Sequence, residues 1–162
     1  MTSLRIAPAT PADVPTILQL IRELAEFERL LHEVMATEAQ LHEHLFGPRP
    51  KAEVIMGRLP GGEVAGFALY FHNFSTFLAK PGIYLEDLYV RQQYRGHGYG
   101  EQLLRRLAGI AIERNCGRLE WSVLDWNQRA IDFYKALGAV PMDEWTIYRV
   151  TGPALEKLAN PE

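Results

Sequence analysis

The 162-residue sequence predicts an α/β fold of the α+β type, a mixed, mostly antiparallel central sheet flanked by helices. Three observations predict it. Short apolar strands follow one another as neighbours in sequence, amphipathic helical stretches with start and stop signals separate the others, and no repeat, low-complexity tract or linker interrupts the chain. With 48% hydrophobic and 23% charged residues, and at roughly 150 residues per domain, the chain reads as a single domain over residues 1–162 that can bury a core.

Leu4 to Ala7 is a short strand. Thr10-Pro11-Ala12-Asp13 then supplies a capping hydroxyl, a proline at the first helical position and an acid at the third, a helix start. Val14, Ile17, Leu18, Ile21, Leu24, Ala25 and Leu31 recur at spacings of three and four and form its buried stripe. Thr37 caps a second helix through roughly Leu45, which Gly47-Pro48 and Pro50 stop. Ala52 to Arg58 and Val64 to His72 read as strands joined by a Pro60-Gly61-Gly62 turn, and Ile83 to Val90 as a third long strand. Gly98 to Glu113 is helical around Leu103, Leu104, Leu107, Ile110 and Ala111, and Asn115 to Gly117 ends it. Leu119 to Leu124 returns as a strand. Asn127 caps a helix that Gly138 terminates, Trp145 to Val150 reads as a last strand, and Thr151 with Pro153 opens a short final helix.

The net charge of −3 gives no electrostatic reason to expect nucleic acid or an anionic membrane as partner. No apolar run approaches the roughly 18 residues a membrane helix requires, no signal-peptide pattern opens the chain, and Cys116 is the only cysteine, so a cytoplasmic protein without a disulfide framework is expected. The charge is unevenly spread. Between Leu20 and Leu45 six acids face two arginines; between Arg91 and Arg118 six arginines face two acids. Such segments are either ordinary solvated helix faces or places for a cationic and an anionic ligand. The five histidines build no metal site: His42 and His44 lie two apart, on different faces of a helix, and no third ligand is fixed.

The most informative stretch is Tyr84-Leu-Glu-Asp-Leu-Tyr-Val90 followed by Arg91-Gln-Gln-Tyr-Arg95-Gly-His-Gly-Tyr-Gly100, which opens directly into a helix. A strand running into an arginine and three alternating glycines at a helix start exposes backbone N–H groups with the positive end of the helix dipole behind them, and so predicts a pyrophosphate. It is no Walker loop, because no Gly-Lys-Ser/Thr follows, and no dinucleotide fingerprint, because Glu101 stands where glycine or alanine is required.

This loop resembles the acyl-CoA pyrophosphate loop of the GNAT superfamily of N-acetyltransferases. Ile6-Ala-Pro-Ala-Thr-Pro-Ala-Asp13, Ile21-Arg-Glu-Leu-Ala25, Tyr84-Leu-Glu-Asp87, and Trp126-Asn127 followed by Asp132-Phe-Tyr-Lys135 resemble the spermidine/spermine (diamine) and thialysine acetyltransferases. The similarity spans Leu4 to Ala159, with shortened connections near residues 60 and 140.

The resemblance implies a GNAT-like sheet, acetyl-CoA as co-substrate, a homodimer, and a set of site residues. Leu88, Tyr89 and Val90 would lend backbone groups to the acetyl thioester and pantetheine arm, since a strand splayed from its neighbour leaves N–H donors free to polarise a carbonyl. Arg95, Gly96, His97, Gly98, Tyr99, Gly100 and Glu101 would surround the pyrophosphate, and Asn127, Gln128, Arg129 and Ala130 match a second cofactor-contacting stretch. The family has a basic residue where this chain has Leu137. Tyr134 matches the general acid that protonates the departing thiolate; periodicity alone would make it a core aromatic. Amine attack requires a neutral amine, and Glu86 is the candidate to take its proton, directly or through a water. Glu86 and Asp87 are consecutive and point to opposite sides of an ideal strand, so only one faces the site; Asp87 is the second candidate. Phe27 with Glu28 matches a substrate-recognition pair, Glu120, Trp121 and Ser122 align with a substrate-contacting strand, and Asp143 or Glu144 matches another acid. The second acid after Glu28 is displaced or supplied by Glu33. The expected function is transfer of acetyl from acetyl-CoA to a small primary amine, diamine or polyamine by direct attack, with a lysine-like amino acid or protein amine, and a non-catalytic acyl-CoA-binding module, as alternatives. Direct attack needs no acyl-cysteine, which leaves Cys116, at a helix end, a small buried or turn residue.

Overall fold

The computed structural model describes residues 3–161. The chain forms two compact units, Met1–Ser122 and Val123–Glu162; the ends of the expected 1–162 domain, Met1, Thr2 and Glu162, lie outside the described residues.

In the first unit, five strands form one sheet in the order β1 (Arg5–Pro8), β2 (Glu53–Arg58), β3 (Val64–Ser75), β4 (Lys80–Val90) and β5 (Leu119–Trp121). The first three pairings are antiparallel and the last is parallel. This is the mixed, mostly antiparallel sheet that the runs of neighbouring strands predict. The β2–β3 turn closes through the Leu59 N–H to the Glu63 carbonyl, with Gly62 at φ 94°.

Helix α1 (Val14–Phe27) follows a single tight turn at Pro11–Asp13, where the Asp13 carboxylate accepts from the Thr10 N–H at 2.8 Å and pairs with Arg58 of β2. Its Ile17, Leu20 and Leu24 are buried against Val54, Met56, Phe67 and Tyr89, on one face of the sheet. Helix α2 (Glu38–Phe46) adds Leu45 to that face and starts at the predicted Thr37, which exchanges hydrogen bonds with Gln40. Helix α3 (Tyr99–Glu113) covers the other face, with Leu103 and Leu107 fully buried. Each such leucine contributes about 2 kcal/mol through apolar area removed from water.

Three sequence expectations differ from the structure. Helix α1 ends at Phe27, short of Leu31, because Arg29 takes a left-handed φ of 63° and the Leu30 N–H turns back to the Ala25 carbonyl; no glycine marks this stop. Strand β5 ends at Trp121 instead of Leu124: its ladder runs only over Ile83–Leu85 and Leu119–Trp121, then β4 departs from regular pleat. In the second unit, α4 (Gln128–Ala136) and α5 (Gly152–Ala159) form as predicted, with the Asn127 side chain capping α4 and Gly138 at φ 95° beyond its end. Trp145–Val150 forms no strand there. Its β-branched and aromatic composition favours a ladder, but none of the second unit's described residues is a strand to pair with, and Trp145, Ile147 and Tyr148 stay exposed.

The Asp13–Arg58 pair ties the entry of α1 to β2. Asp13→Ala is expected to cost about 2 kcal/mol, because it leaves a half-buried guanidinium without its carboxylate; a urea midpoint indistinguishable from the wild type would remove this tie from the fold.

Candidate active site

Strand β4 carries the site, and its geometry turns on one residue. Asp87 pairs with Leu69 of β3, yet Leu85 pairs with Tyr70, so Glu86 has no partner and forms a β-bulge. An extra residue exchanges the faces of everything beyond it. Before the bulge, Tyr84 shares the α1 face with Phe71, their ring centroids 5.3 Å apart, while Leu85 points to the α3 face. Beyond it, Asp87 and Tyr89 lie on the α1 face with Leu69 and Phe67, and Val90 lies on the α3 face near Gly100. In an unbroken strand Asp87 would follow Leu85 into the α3 face.

The bulge therefore brings Asp87 beside Glu28, the C-cap residue of α1, and leaves Glu86 exposed at the strand's irregularity. Burial first, then the negative charges of Glu86 and Glu28, push the Asp87 carboxyl up to about 7. Burial also raises Glu28. The predicted acids Glu28, Glu86 and Asp87 are thus gathered in one place. Glu120 is not added to them as a free charge: it pairs with Arg118 at 2.9 Å and accepts from Asn73 at 3.1 Å. Ser122 instead meets the Tyr84 hydroxyl at 2.7 Å, Trp121 pairs in the ladder with Leu85, and Glu33 stands exposed in a turn after α1. Tyr84 and Phe71 add an aromatic wall on this face; sequence reasoning assigned neither a site role, although Tyr84 opens the Tyr84-Leu-Glu-Asp87 motif. The face of Tyr84 relative to Asp87 depends on a bulge that no residue type announces.

After the bulge, Glu86 to Val90 run past the end of the β5 ladder, and Leu88, Tyr89 and Val90 have β3 as their only strand partner among the described residues. The chain then makes a tight turn at Gln92–Tyr94 and reaches α3 through Gly96 at φ 85° and Gly98 at φ 77°. Both are left-handed conformations that side-chain-bearing residues resist, and a Cβ on Gly96 would meet no atom within 4 Å, so the backbone there is open to approach. Gly98 is the N-cap of a 15-residue helix, whose first N–H groups and dipole suit an anion.

Arg95 precedes the glycines and reaches back to α1 and β4. Its guanidinium lies 4.5 Å from the Phe27 ring centroid and 5.6 Å from that of Tyr89, while its Nε donates to the Val90 carbonyl at 3.1 Å. Tyr94 is hydrogen-bonded to Glu63, which ties the loop to the β2–β3 turn. The rings of His97 and Tyr99 lie 5.6 Å apart, and the Glu101 side chain pairs with Arg105 along α3. Gly100 packs on Val90.

In the second unit, Asn127 Oδ1 accepts from the Ala130 N–H at 3.3 Å and Gln128 donates to Asp132 at 2.7 Å, so both side chains shape the start of α4. Arg129 is exposed. Tyr134 is half-buried beside Phe133, ring centroids 5.4 Å apart, and Leu137 follows α4 as its C-cap. Asp143 and Glu144 are exposed. Cys116 closes the end of α3 through its N–H to the Ala111 carbonyl. Among the described residues no three His, Cys, Asp or Glu side chains gather as metal ligands, and no helix is long and apolar enough to cross a membrane.

With this geometry in place, comparison with known proteins is informative. The sequence profile of the Acetyltransferase (GNAT) family matches residues 17–139. The chain is 40% identical over 170 residues to a thialysine N-epsilon-acetyltransferase of Mus musculus, covering 99% of both chains. It is 36% identical over 198 residues to an L-ornithine N5-acetyltransferase of Arabidopsis thaliana, covering 95% of this chain and 87% of that one. Among solved structures, an integron cassette protein from the mobile metagenome of V. cholerae superposes with a TM-score of 0.81 at 32% identity, covering 99% of each chain.

The raised Asp87 makes stability pH-dependent. Its folded value of about 7 lies above its ordinary 3.8, so the folded state holds the extra proton and stability falls as pH rises from about 4 to 7, by about 4 kcal/mol at most. Asp87→Asn is expected to raise the melting temperature at pH 8 and leave it nearly unchanged at pH 4. Equal shifts at both pH values would deny the carboxyl its raised value.

Proposed function

The chain belongs to the GNAT acetyltransferase family and is an N-acetyltransferase, and we propose that it moves acetyl from acetyl-CoA to the primary amine of a small diamine, polyamine or lysine-like amino acid. The observation that carries the amine reading is the gathering of Glu28, Glu86 and Asp87 where β4 leaves β5. Carboxylates on the sheet face that also carries the Tyr84 ring suit an ammonium group. Because Glu120 is already matched by Arg118 and Glu33 stands exposed in its turn, the first unit offers one acidic cluster and not a long acidic track. That favours a short amine over an extended polycation. The named relatives, which act on thialysine and L-ornithine, support the lysine-like alternative.

The residues fit acetyl-CoA. Gly96, His97, Gly98, Tyr99, Gly100 and Glu101 present open backbone at a helix start, which would hold the pyrophosphate, with Arg95 adding charge-assisted hydrogen bonds. Leu88, Tyr89 and Val90, beyond the β5 ladder, would hold the pantetheine arm and polarise the thioester carbonyl through their backbone N–H groups. Asn127, Gln128, Arg129 and Ala130 of the second unit would add contacts from the first turn of α4. Bound there, acetyl-CoA supplies an activated acyl group and a thiolate leaving group.

The chemistry then follows. A carboxylate of the Glu86–Asp87 pair takes one proton from the ammonium. The freed nitrogen lone pair forms the C–N bond at the thioester carbon, the C–S bond breaks, and Tyr134 gives its phenolic proton to the sulfur. The new amide nitrogen loses its remaining extra proton, which restores the tyrosine. No covalent enzyme intermediate is required. A cytoplasmic homodimer completes the reading, supported by the single cysteine and by the exposed Trp145, Ile147 and Tyr148 of the second unit, an apolar set that a partner would cover.

Thiol release from acetyl-CoA across a panel of monoamines, diamines, polyamines, lysine-like amino acids and protein lysines tests the substrate class: turnover is expected with short diamines or lysine-like amino acids, and turnover confined to protein would exclude it. Tyr134→Phe is expected to lower kcat by roughly 100-fold or more with CoA affinity little changed; an unaltered kcat would end the general-acid role. Sedimentation at low protein concentration is expected to give twice the mass of one chain, and a single-chain mass would exclude the homodimer.

A further inference from the structure

We propose that the Arg118–Glu120 ion pair binds the α-carboxylate and α-ammonium of the substrate, so that the chain selects a lysine-like α-amino acid over the diamine that lacks only the carboxylate. The proposal deepens the acetyltransferase reading and rests on it. Its support is a row of side chains on one sheet face. Arg118, Glu120 and Ser122 alternate along β5 and its two flanking residues and so share a side of the sheet. Glu120 lies opposite Tyr84 in the parallel ladder, Ser122 Oγ meets the Tyr84 hydroxyl at 2.7 Å, and Asn73 of β3 donates to Glu120 at 3.1 Å. This is the face on which Phe71 touches Tyr84 and to which Asp87 returns after the bulge. The apolar cluster beneath α1 extends to Leu69 and Tyr89 on these strands, and Phe71, Asn73, Tyr84 and Glu120 beyond it are half-buried.

The pair is fitted into the sheet, unlike the pairs along the surface of α3. Gly82 of β4 stands across from Asn73, and a Cβ there would come within 2.3 Å of Asn73 Oδ1 and 3.3 Å of Arg118 Cγ. The amide and the arginine stem thus occupy the space that a side chain at 82 would need. Both contacts to Glu120 fall on one of its oxygens, since Asn73 Nδ2 donates to Oε1 and Arg118 Nε approaches the same atom at 2.9 Å. The second oxygen, Oε2, is left to accept from an ammonium. Arg118 spends its Nε on this pair, so its terminal nitrogens are left to donate to a carboxylate, the planar partner that a guanidinium fits.

Charge separates the two substrate classes. An unpaired acid at this place would attract the second ammonium of a diamine. The neutral pair does not, because an ammonium that approaches Glu120 also approaches Arg118. An α-amino acid carries a carboxylate and an ammonium on one carbon, the complement of a guanidinium and a carboxylate two residues apart on one strand, and it alone satisfies both. The length agrees as well. Tyr84, beside Glu120, and Asp87, in the acidic cluster, are three residues apart, roughly 10 Å along a strand. The side chains at both ends reach into that interval and shorten it to the span of a lysine-length side chain. The reacting amine then lies at Glu28, Glu86 and Asp87 while the other end of the molecule is held at β5.

The test is kcat/KM by thiol release for matched substrates, L-lysine against cadaverine and L-ornithine against putrescine, each diamine being the amino acid without its carboxylate. The wild type is expected to prefer the amino acid of each pair by roughly tenfold or more. L-lysine methyl ester, in which the carboxylate charge is removed, should be poorer than lysine for the wild type by a similar factor. Arg118→Gln should bring the preference for the amino acid close to one, chiefly through its KM, and should no longer distinguish lysine from the ester, a selective change that damaged folding would not give. Nα-acetyl-L-lysine, which lacks the α-ammonium, should be a poorer substrate than lysine for the wild type and lose that handicap in Glu120→Gln. A wild type that favours the diamines, or an Arg118→Gln variant that keeps the preference, overturns the assignment. Equal kcat/KM for lysine and its ester on the wild type overturns it without any substitution. A wild type that releases no thiol with any amine overturns the acetyltransferase reading itself and this assignment with it, an outcome separate from an active enzyme with the wrong preference.

Discussion

A β-ladder repeats every two residues, and a single unpaired residue in β4 shifts that repeat for the rest of the strand. Everything specific about the first unit's site depends on this. Glu86 steps out of the pairing with β3, the parallel ladder to β5 ends one residue earlier, and Asp87 returns to register on the opposite face from the one an ideal strand would give it. The β4–β5 ladder ends just before the same irregularity, so Leu88, Tyr89 and Val90 have β3 as their only strand partner among the described residues. One local defect thus produces both the acidic cluster and the open strand. Neither would exist in a perfectly paired sheet.

The surrounding fold holds this irregularity in place. On one side α1 fills the sheet face with Ile17, Leu20 and Leu24 and ends at Phe27–Glu28 because Arg29 adopts a left-handed conformation. On the other side α3 packs Leu103 and Leu107 and begins at Gly98. The near-neutral total charge of the chain conceals this division. The acidic segment between Leu20 and Leu45 brings Glu28 beside Asp87, and the basic segment between Arg91 and Arg118 brings Arg95 to the glycine loop before α3, while other charges such as Arg105–Glu101 and Arg106–Glu113 are ordinary surface pairs.

Most of the fold was legible in the sequence because its elements announce themselves locally. Thr37 caps α2, Asn127 caps α4, Pro60-Gly61-Gly62 turns β2 into β3, and Gly96 and Gly98 take the left-handed conformations that their identity suggests. What was not legible depends on partners. The bulge cannot be read from Leu-Glu-Asp-Leu, whose pattern fits a regular strand equally well; it exists only as a mismatch with β3. For the same reason the choice of Glu86 over Asp87 rested on an assumption the sequence could not check, since the rule that consecutive residues face opposite sides requires an unbroken pleat. Trp145–Val150 has strand composition but no ladder in its unit, and propensity without a partner is not a strand. The stop at Arg29 escaped notice because a residue with a side chain occupies a conformation usually given to glycine. Glu120 carried the right charge at the right place in the chain, and only its pairing with Arg118 and Asn73 shows that the charge is already matched.

Arg95 has a consequence that follows from the shape of its side chain. A guanidinium is a flat plate with two different kinds of surface: its faces attract aromatic rings, and its rim carries the N–H donors. In this molecule the Phe27 and Tyr89 rings lie within cation–π reach of the plate and the Nε position of the rim is bonded to the Val90 carbonyl. The terminal nitrogens of the rim remain the part suited to phosphate oxygens. An anion and the two rings therefore do not compete for the same surface of the side chain, and the arginine that would greet the anion is already immobilised by contacts to α1 and β4. The rotational freedom of a long, flexible side chain is given up during folding, so any anion that reached this arginine would meet a donor whose orientation has been set in advance.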